Sequence, residues 1–249
     1  MKIGLIGYEV PHRKVLEIAF GLQESGHDVV IFGFPFKPRI STNQPIFRDR
    51  PEPIMHFALE NYLKGSGLEY VCCNGWNEVC QYKFNEAASV CDYIITCIAK
   101  IIPTQMVVNN IILNSHPGML PYNRGVDAFK RAIINRWPIG VTLHRIDESI
   151  DAGIIIKSVN VPVFPDDSLD IVCDRAFNLE IRLLIESSQY ISAEYIADTA
   201  RSQSALCHTL YKNKIDSKQE GKIRELFREN IDVFIDHFKK QRKNVSEFK

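Results

Sequence analysis

The stretch KIGLIGYEVPHRKVLEIAFGLQESGHDVVIFG, residues 2–33, sets the architecture of the chain. Its two ends, residues 2–7 and 28–33, are short apolar runs that end in glycine and predict buried strands. Between them, apolar residues recur at the spacing of one helical face: Val15, Leu16, Ile18, Ala19 and Leu22. Gly26 is typical of a helix C-terminus. A strand, a helix and a strand in this order predict a parallel, doubly wound α/β sheet.

The rest of the chain continues this alternation of strands and helices. Further strands are predicted over residues 69–72, 92–97, 111–115, 139–146 and 153–161. Helices are predicted over residues 54–64, 78–89, 126–136 and 167–190. The proline-rich residues 34–53 show no period and predict a long surface loop. We therefore expect an α/β domain over residues 1–190, with a doubly wound, mostly parallel sheet.

The last part of the chain, residues 191–249, is predicted to be a small helical extension. Apolar side chains in this part fall on one helical face, with charged residues opposite: Ile223, Leu226, Phe227, Ile231, Phe234 and Phe238. This stripe predicts either packing against the main domain or a contact between two copies of the chain.

Composition excludes several classes of function. Lys and Arg together number 30, as do Asp and Glu, so the formal net charge is zero. The chain therefore lacks the excess of basic residues that is typical of nucleic-acid-binding proteins. The sequence contains no apolar run of about 20 residues to cross a membrane and no export signal at its start. The seven cysteines form no CxxC pair, which favours reduced thiols and a cytoplasmic protein without a metal site.

The first helix opens with residues that suit an anion-binding site. Gly4 and Gly7 do not complete the GxGxxG pattern of dinucleotide-binding proteins, and no acidic residue follows the second strand as that pattern requires. His12 and Arg13, however, precede Lys14 at the predicted helix start, where backbone N–H groups attract anions. The alternative is a solvated first turn.

Two polar side chains share one face at the end of a buried strand, residues 111–115. Residues two apart in a strand project to the same side, so Asn114 and His116 point the same way at its carboxyl end. Ligands bind at that end in open α/β sheets. The alternative is that both side chains are satisfied by the local backbone.

A second segment, residues 140–156, carries acidic residues in a turn between two apolar strands: Asp147, Glu148 and Asp151. Such acids are usually solvated, but Asp151 lies where a hairpin can fold back beside the preceding strand. An Asn, a His and an Asp that converge suit acyl transfer to an amine. The Asn amide stabilises an oxyanion, the His donates or accepts a proton near neutral pH, and the Asp orients the His. His144 lies inside a strand, which favours a packed structural role.

These segments resemble the folate-dependent formyltransferase family. The resemblance rests on Asn114-x-His116-Pro117-Gly118-x-Leu120-Pro121, on Gly140-Val141-Thr142-x-His144 and on Ile150-Asp151-Ala152-Gly153. It implies that Asn114, His116 and Asp151 are catalytic and that 10-formyltetrahydrofolate is the formyl donor. It also implies that donor contacts come from the turn that holds Asp147, Glu148 and Ile150, and from the loop Ile98-Ala99-Lys100-Ile101-Ile102. The alternative for the loop is that Ile98, Ile101 and Ile102 are core residues.

The resemblance also bears on the amine that accepts the formyl group. Gly7-Tyr8-Glu9-Val10-Pro11 departs from the glycine-rich phosphate loop of glycinamide ribonucleotide enzymes. Residues after 190 are too few for the basic domain of methionyl-tRNA enzymes. Pro121-Tyr122-Asn123-Arg124-Gly125 is most similar to the sugar-nucleotide N-formyltransferases, which act on amino sugars linked to dTDP or UDP for bacterial surface polysaccharide such as O-antigen.

This similarity implies a substrate site that includes Asn123, Arg124 and Tyr211 together with His12 and Arg13. Arg124 would bind phosphate or a sugar hydroxyl, unless it forms an ion pair that stabilises its loop, and Tyr211 would stack on the nucleotide base. The similarity further implies a homodimer formed through C-terminal elements. Two alternatives remain open: a formyltransferase for another amine, of the glycinamide ribonucleotide type, and a folate- or nucleotide-binding module without turnover.

Overall fold

A computed structural model of the chain describes residues 1–37, 57–191, 210–211 and 213–246. The strands are β1 (Lys2–Tyr8), β2 (Asp28–Phe34), β3 (Glu69–Cys72), β4 (Tyr93–Thr96), β5 (Ile112–His116), β6 (Arg124–Gly125), β7 (Gly140–Arg145), β8 (Ile155–Asn160) and β9 (Leu210–Tyr211). The helices are α1 (Arg13–Glu24), α2 (Leu59–Tyr62), α3 (Glu78–Ala88), α4 (Thr104–Val108), α5 (Ala128–Ile134), α6 (Leu169–Ile185), α7 (Ser217–Gly221), α8 (Ile223–Glu229) and α9 (Ile231–Ser246).

The main sheet has seven strands in the order β3-β2-β1-β4-β5-β7-β8. The strands from β3 to β5 are parallel, whereas β7 runs antiparallel to both β5 and β8. The predicted α/β fold with a mostly parallel sheet is therefore confirmed. The direction changes between β5 and β7, so Thr142 pairs with His116, whereas Arg145, the last residue of β7, pairs with Leu113 near the start of β5.

The opening β1–α1–β2 unit forms as predicted, and two glycines explain its tight geometry. Gly26 has a φ of +82° just after α1, which a glycine adopts without strain. A side chain at Gly7 would place its Cβ 2.9 Å from Val15 Cγ2. Gly7 therefore permits close packing of α1 on β1, which accounts for it without a phosphate loop.

Two predicted helices differ at their ends or in length. Within the described residues, the helix predicted over residues 54–64 is reduced to α2, because Ala58 has an extended backbone and the helix begins at Leu59. Residues 54–56 lie outside the described part, as does most of the loop predicted over residues 34–53. The helix predicted over 126–136 begins only at Ala128, because Asp127 has a left-handed φ of +57°.

Side chains of β5 alternate between two hydrophobic cores, one on each face of the sheet. Leu113 packs into the core formed with α1 and α6, whereas Ile112 packs into the core formed with α3 and α4. Ser115 shares the face of Leu113, and Asn114 and His116 share the face of Ile112. The strand thus holds both predicted catalytic side chains on the α3–α4 side.

A buried ion pair lies on the opposite face of β5. Lys14 Nζ is 3.2 Å from the Glu180 carboxylate and donates a hydrogen bond to Ser115 Oγ at 3.0 Å. All three side chains are buried. Lys14 therefore points into the protein. The prediction that Lys14 lies in a solvated or anion-binding first turn is wrong, and only His12 and Arg13 remain candidates at the helix start.

The C-terminal stripe packs against the main domain. Ile223, Phe227 and Phe234 are buried in the same core as α6, and Leu226 and Ile231 are partly buried against it. One element in this region was not predicted: β9 pairs in parallel with β6. A pair of two-residue strands is too short to leave a periodic pattern in the sequence. Whether residues 191–249 also form a dimer contact stays a prediction.

Candidate active site

His116 ends β5 and is held there by the loop that follows it. Its side chain is 4% exposed, and its Nε2 lies 2.7 Å from the carbonyl oxygen of Asn123. Because a carbonyl oxygen only accepts, Nε2 carries a proton and donates it to this bond. Asn123 is buried in turn and donates from its side-chain amide to the carbonyl of Ala128. Nδ1 of His116 is thereby left to face the site.

Asp151 reaches this site from the β7–β8 hairpin, as the sequence predicts. Its carboxylate Oδ2 lies 3.4 Å from His116 Nδ1 and accepts a hydrogen bond of 2.9 Å from the backbone N–H of Gly125. Asp151 has a φ of +49°, a left-handed conformation that Asp and Asn adopt more readily than most residues. A side chain at Gly153 would overlap the carbonyl of Arg145, so glycine there allows the hairpin to close.

His144 is the site residue whose role the sequence did not indicate. It lies directly opposite Asn114 in the antiparallel β5–β7 pair, so both side chains project from one face. Its Nε2 lies 3.2 Å from Asn114 Nδ2 and 3.8 Å from Asp151 Oδ1. Burial lowers the pKa of His144 to about 4, against a smaller opposing effect of Asp151. The interpretation of His144 as a packed structural residue is therefore incomplete, because the buried ring also contacts two site residues.

The four side chains form one cluster with complementary chemistry. Asn114 offers amide hydrogens, His116 offers one ring nitrogen, and Asp151 supplies a negative charge next to that nitrogen. A proton that enters the cluster can be held between His116 Nδ1 and Asp151 Oδ2. Such a group can stabilise an oxyanion and take up a proton from an attacking nucleophile.

A pocket of about 260 Å³ lies between α4 and the β7–β8 hairpin. It combines apolar and charged lining residues: Val107, Val108, Arg145, Ile146, Asp147, Glu148, Gly153 and Ile154. Asp147 and Glu148 belong to the predicted donor site. Ile150 is not among the lining residues, and its carbonyl accepts hydrogen bonds from the Arg124 guanidinium.

The predicted donor loop, residues 98–102, does not line this pocket. Ile98 and Ile102 are buried in the α3–α4 core, as one interpretation of the sequence held. Ile101 is 73% exposed and so is not a core residue. Ala99 and Lys100 are exposed, and Lys100 Nζ lies 5.1 Å from the centre of the Trp76 ring.

The predicted substrate residues near β6 lie close to Asp151. Arg124 stabilises its loop as one interpretation expected, although it bonds to a backbone carbonyl of the hairpin and not to an acid. Tyr211 pairs with Gly125 across β6 and β9, and Gly125 contacts Asp151. The Arg131 guanidinium lies 4.1 Å from the centre of the Tyr211 ring.

The sequence profile of the family described as "Formyl transferase" matches residues 63–187, which is half of the chain. The chain belongs to the formyl transferase family. Asn114, His116, His144 and Asp151 all lie within the matched residues, whereas His12, Arg13 and Tyr211 lie outside them.

Individual members of the formyl transferase family match different shares of the chain. A phosphoribosylglycinamide formyltransferase from Haemophilus influenzae is 37% identical over 130 residues, 52% of this chain and 52% of that protein. A dTDP-4-amino-4,6-dideoxyglucose formyltransferase from Mycobacterium bovis is 34% identical over 84 residues, 34% of this chain and 36% of that protein. The chain thus spans about half the length, or less, of these relatives.

A solved structure extends the likeness in fold to nearly the whole chain. It is an N-formyltransferase from Helicobacter canadensis in complex with folinic acid and dTDP-3-aminofucose. The TM-score is 0.56 at 17% identity, and 94% of this chain and 81% of that chain are covered. At this identity the likeness concerns the fold of the formyl transferase family.

Three further findings apply to the residues that the structure of this formyl transferase describes. Among them, no group of three or more His, Cys, Asp or Glu side chains is placed to hold a metal ion. No helix in the described ranges has the length and apolar character to cross a membrane. The cysteines of these ranges are free thiols: Cys72, Cys73, Cys80, Cys91, Cys97 and Cys173.

The start of α1 in this formyl transferase is occupied by internal contacts. His12 is buried and caps the helix, with Nδ1 accepting from the N–H of Val15. Burial lowers the pKa of His12 to about 4, with a smaller effect of Lys14, so the ring is neutral at pH 7. Arg13 bonds to Glu17 and Asn178. In this structure neither side chain presents an unpaired positive charge to an anion.

The neutral, buried His12 predicts a pH-dependent stability. Between pH 6.5 and 4 the unfolded chain binds a proton at His12 that the folded chain does not, so stability is lost as the pH falls through this window. The shift corresponds to about 3 kcal/mol. The substitution His12→Asn keeps a good capping residue and removes the titrating ring. We expect its free energy of unfolding to fall less from pH 7 to pH 4 than that of the wild type.

Urea denaturation at pH 7, 6, 5 and 4 measures this difference. His144 titrates in both proteins, so its contribution cancels in the comparison. Circular dichroism at pH 7 serves as the control that α1 is intact in His12→Asn. Equal pH slopes in the two proteins would contradict a neutral buried His12.

Proposed function

We propose that the protein transfers the formyl group of 10-formyltetrahydrofolate to the primary amine of an amino sugar linked to dTDP or UDP. The observation that carries this proposal is the cluster of Asn114, His116 and Asp151, with the His116 and Asp151 side chains 3.4 Å apart. Membership of the formyl transferase family supports the reaction type. A binding module without turnover has no use for an oxyanion donor and a proton acceptor in the same cluster.

The cluster accounts for each step of the transfer. The amine nitrogen forms a bond to the formyl carbon, and the carbonyl oxygen becomes an oxyanion that accepts a hydrogen bond from the Asn114 amide. The proton lost by the amine passes to the pair formed by His116 Nδ1 and Asp151. The bond to the donor nitrogen then breaks, this nitrogen takes up the proton held by the pair, and tetrahydrofolate leaves.

The pocket beside the hairpin supports a binding site for the ring of the formyl donor. Its apolar residues Val107, Val108 and Ile154 suit the faces of an aromatic ring, and Asp147 and Glu148 suit the polar edge of that ring. The pocket opens on the α3–α4 side of the sheet, which also carries Asn114. We also propose that residues 98–102 contact the formyl donor, through the exposed side chains of Lys100 and Ile101.

Two observations favour a nucleotide-linked sugar as the acceptor. The fold of the Helicobacter canadensis enzyme, whose structure contains dTDP-3-aminofucose, covers 94% of this chain. In this chain the C-terminal β9 pairs with β6, and Gly125 of β6 donates a hydrogen bond to Asp151, so we place Tyr211 and Arg124 at the acceptor side of the cluster. We further propose that the enzyme works in the cytoplasm as a homodimer.

Glycinamide ribonucleotide is the second candidate acceptor. The relative from Haemophilus influenzae, a phosphoribosylglycinamide formyltransferase, favours it with 37% identity over half of the chain. Against it, Gly7 packs on Val15, and Tyr8 and Glu9 follow where that class has a glycine-rich phosphate loop.

Mass spectrometry of products tests the proposal directly. The protein is incubated with 10-formyltetrahydrofolate and, in parallel reactions, with dTDP- and UDP-linked amino sugars and with glycinamide ribonucleotide. We expect the mass gain of one formyl group on an amino sugar and release of tetrahydrofolate. Formylation of glycinamide ribonucleotide alone would establish the second candidate, and binding of donor and acceptors without any product would establish a binding module.

A further inference from the structure

His144 occupies the centre of the active-site cluster without an assigned task. It is fully buried, and its Nε2 lies between Asn114 Nδ2 at 3.2 Å and Asp151 Oδ1 at 3.8 Å. Only the first of these distances is that of a hydrogen bond. The ring therefore bonds to Asn114 and stands close to Asp151 without bonding to it.

The chemistry of the Asn114 contact fixes the proton on the ring. An amide nitrogen donates hydrogen bonds and does not accept them, so His144 Nε2 must be the acceptor. The ring is then neutral, with its proton on Nδ1. Burial favours the same neutral form, since it lowers the pKa of His144 to about 4.

The other ring nitrogen is poorly paired. His144 Nδ1 is buried and makes no hydrogen bond of full geometry among the described residues, although it lies close to the backbone of Arg145. An unpaired buried polar group costs free energy, and a functional role commonly explains one. An apolar side chain of similar volume would avoid the cost, yet a histidine stands opposite Asn114.

We propose that His144 is a positioning residue for the amide of Asn114. Its Nε2 lone pair accepts one amide hydrogen, which fixes the plane of the amide and directs the second N–H toward the oxyanion. The amide can otherwise rotate about its χ2 bond, whose preferences are broad. This inference rests on the proposed formyl transfer for its effect on rate, but the tautomer and the contact can be tested without any substrate.

Nitrogen-15 NMR of the histidine rings tests the contact in the protein alone. Protein labelled with ¹⁵N-histidine is studied at pH 7 through the two-bond couplings between ring nitrogens and ring protons, which distinguish the two neutral tautomers. We expect His144 to carry its proton on Nδ1, and we expect Asn114→Ala to shift the His144 Nε2 resonance. A proton on Nε2, or a resonance that does not respond to Asn114→Ala, would overturn the proposal. His144→Gln identifies the His144 signals by their loss.

Kinetics of two variants then tests the consequence for turnover. His144→Leu keeps similar volume and removes the acceptor, so we expect kcat to fall about 10- to 100-fold with KM unchanged, because a misdirected oxyanion donor loses part of its effect. His144→Gln retains an acceptor oxygen and should recover most of this loss. His27→Leu is the matched control, because His27 is a half-buried histidine that bonds to Ser188, outside the site.

The outcomes separate this inference from the proposed function. If the wild type forms no formylated product, the proposed function fails while the NMR result still decides the contact. If the wild type is active, and folded His144→Leu matches it in kcat or loses only KM, the positioning role is wrong. A purely structural role predicts instead that both His144→Leu and His144→Gln unfold more easily and that the glutamine restores no rate.

Discussion

The substitution Asn114→Ala is expected to reduce the rate of formyl transfer at least about a hundredfold, as loss of one oxyanion donor usually does. Asn114 lies at the carboxyl end of β5 and on the face of the sheet that also carries His116. Its amide Nδ2 lies 3.2 Å from His144 Nε2, which in turn lies 3.8 Å from Asp151 Oδ1. The residue is only partly buried, so the truncation should leave the protein folded.

Steady-state rates of formylated product, measured with the acceptor identified by mass spectrometry, check this expectation. Asn109→Ala is the matched control, because Asn109 is an exposed asparagine at the end of α4 that bonds to the carbonyl of Gln105. Melting temperatures of both variants should stay near that of the wild type. A folded Asn114→Ala protein with a rate near normal would remove the oxyanion donor from the mechanism.

His116→Ala tests the second member of the cluster and is also expected to reduce turnover at least about a hundredfold. The loss follows because the ring nitrogen that faces Asp151 at 3.4 Å is the atom placed to take the proton of the amine. This substitution also leaves the Asn123 carbonyl without its partner, so a thermal melt must accompany the rate. Near-normal turnover by folded His116→Ala would end the proposed proton transfer.

Much of this site follows from patterns that the sequence displays. Asn114 and His116 are two residues apart on a strand whose apolar residues mark it as buried, so their common face follows from strand geometry alone. Asp151 sits in a turn between two apolar runs, which predicts a hairpin. Only the folded chain shows that Asp151 lies within 3.4 Å of His116, because that distance depends on the position of the hairpin relative to β5.

The contacts of His144 with the site could not be predicted, because they depend on a strand pairing that the sequence does not display. It faces Asn114 only because β7 runs antiparallel to β5 with Asn114 opposite His144; a shift by one residue would turn it to the other face of the sheet. Similarly, the donor pocket draws Val107 and Val108 from α4, a helix of five residues that is too short for a helical period to be visible.

Residue types at the start of α1 predict an anion-binding turn, but tertiary packing gives these residues other contacts. The sequence has three basic or titratable residues in a row, His12, Arg13 and Lys14, which is typical of an anion site. In the fold, Lys14 turns inward to Glu180 and His12 becomes a buried cap. Helix periodicity places Lys14 on the same face as Ile18, four residues later, which is the signal that could have predicted its burial.

A further large effect is expected from Asp151→Asn, which should reduce kcat about a hundredfold or more while the affinity for the nucleotide-linked sugar changes little. The variant preserves the shape of the side chain and an oxygen that can accept from the Gly125 N–H. Asparagine also adopts the left-handed φ of +49° found here. The negative charge next to His116 Nδ1 is therefore the main property that the substitution removes.

Isothermal titration with the sugar nucleotide, together with kcat and KM, separates the possible roles of Asp151. Asp174→Asn is the matched control, because Asp174 is exposed on α6, outside the cluster. A loss of kcat with unchanged affinity in Asp151→Asn, and normal behaviour in Asp174→Asn, fit a carboxylate that takes up or stabilises the proton of the amine. A variant that turns over normally but binds the nucleotide poorly would place Asp151 in substrate recognition. The proposed acid–base pair with His116 would then have to be abandoned, because turnover would not need the charge of Asp151.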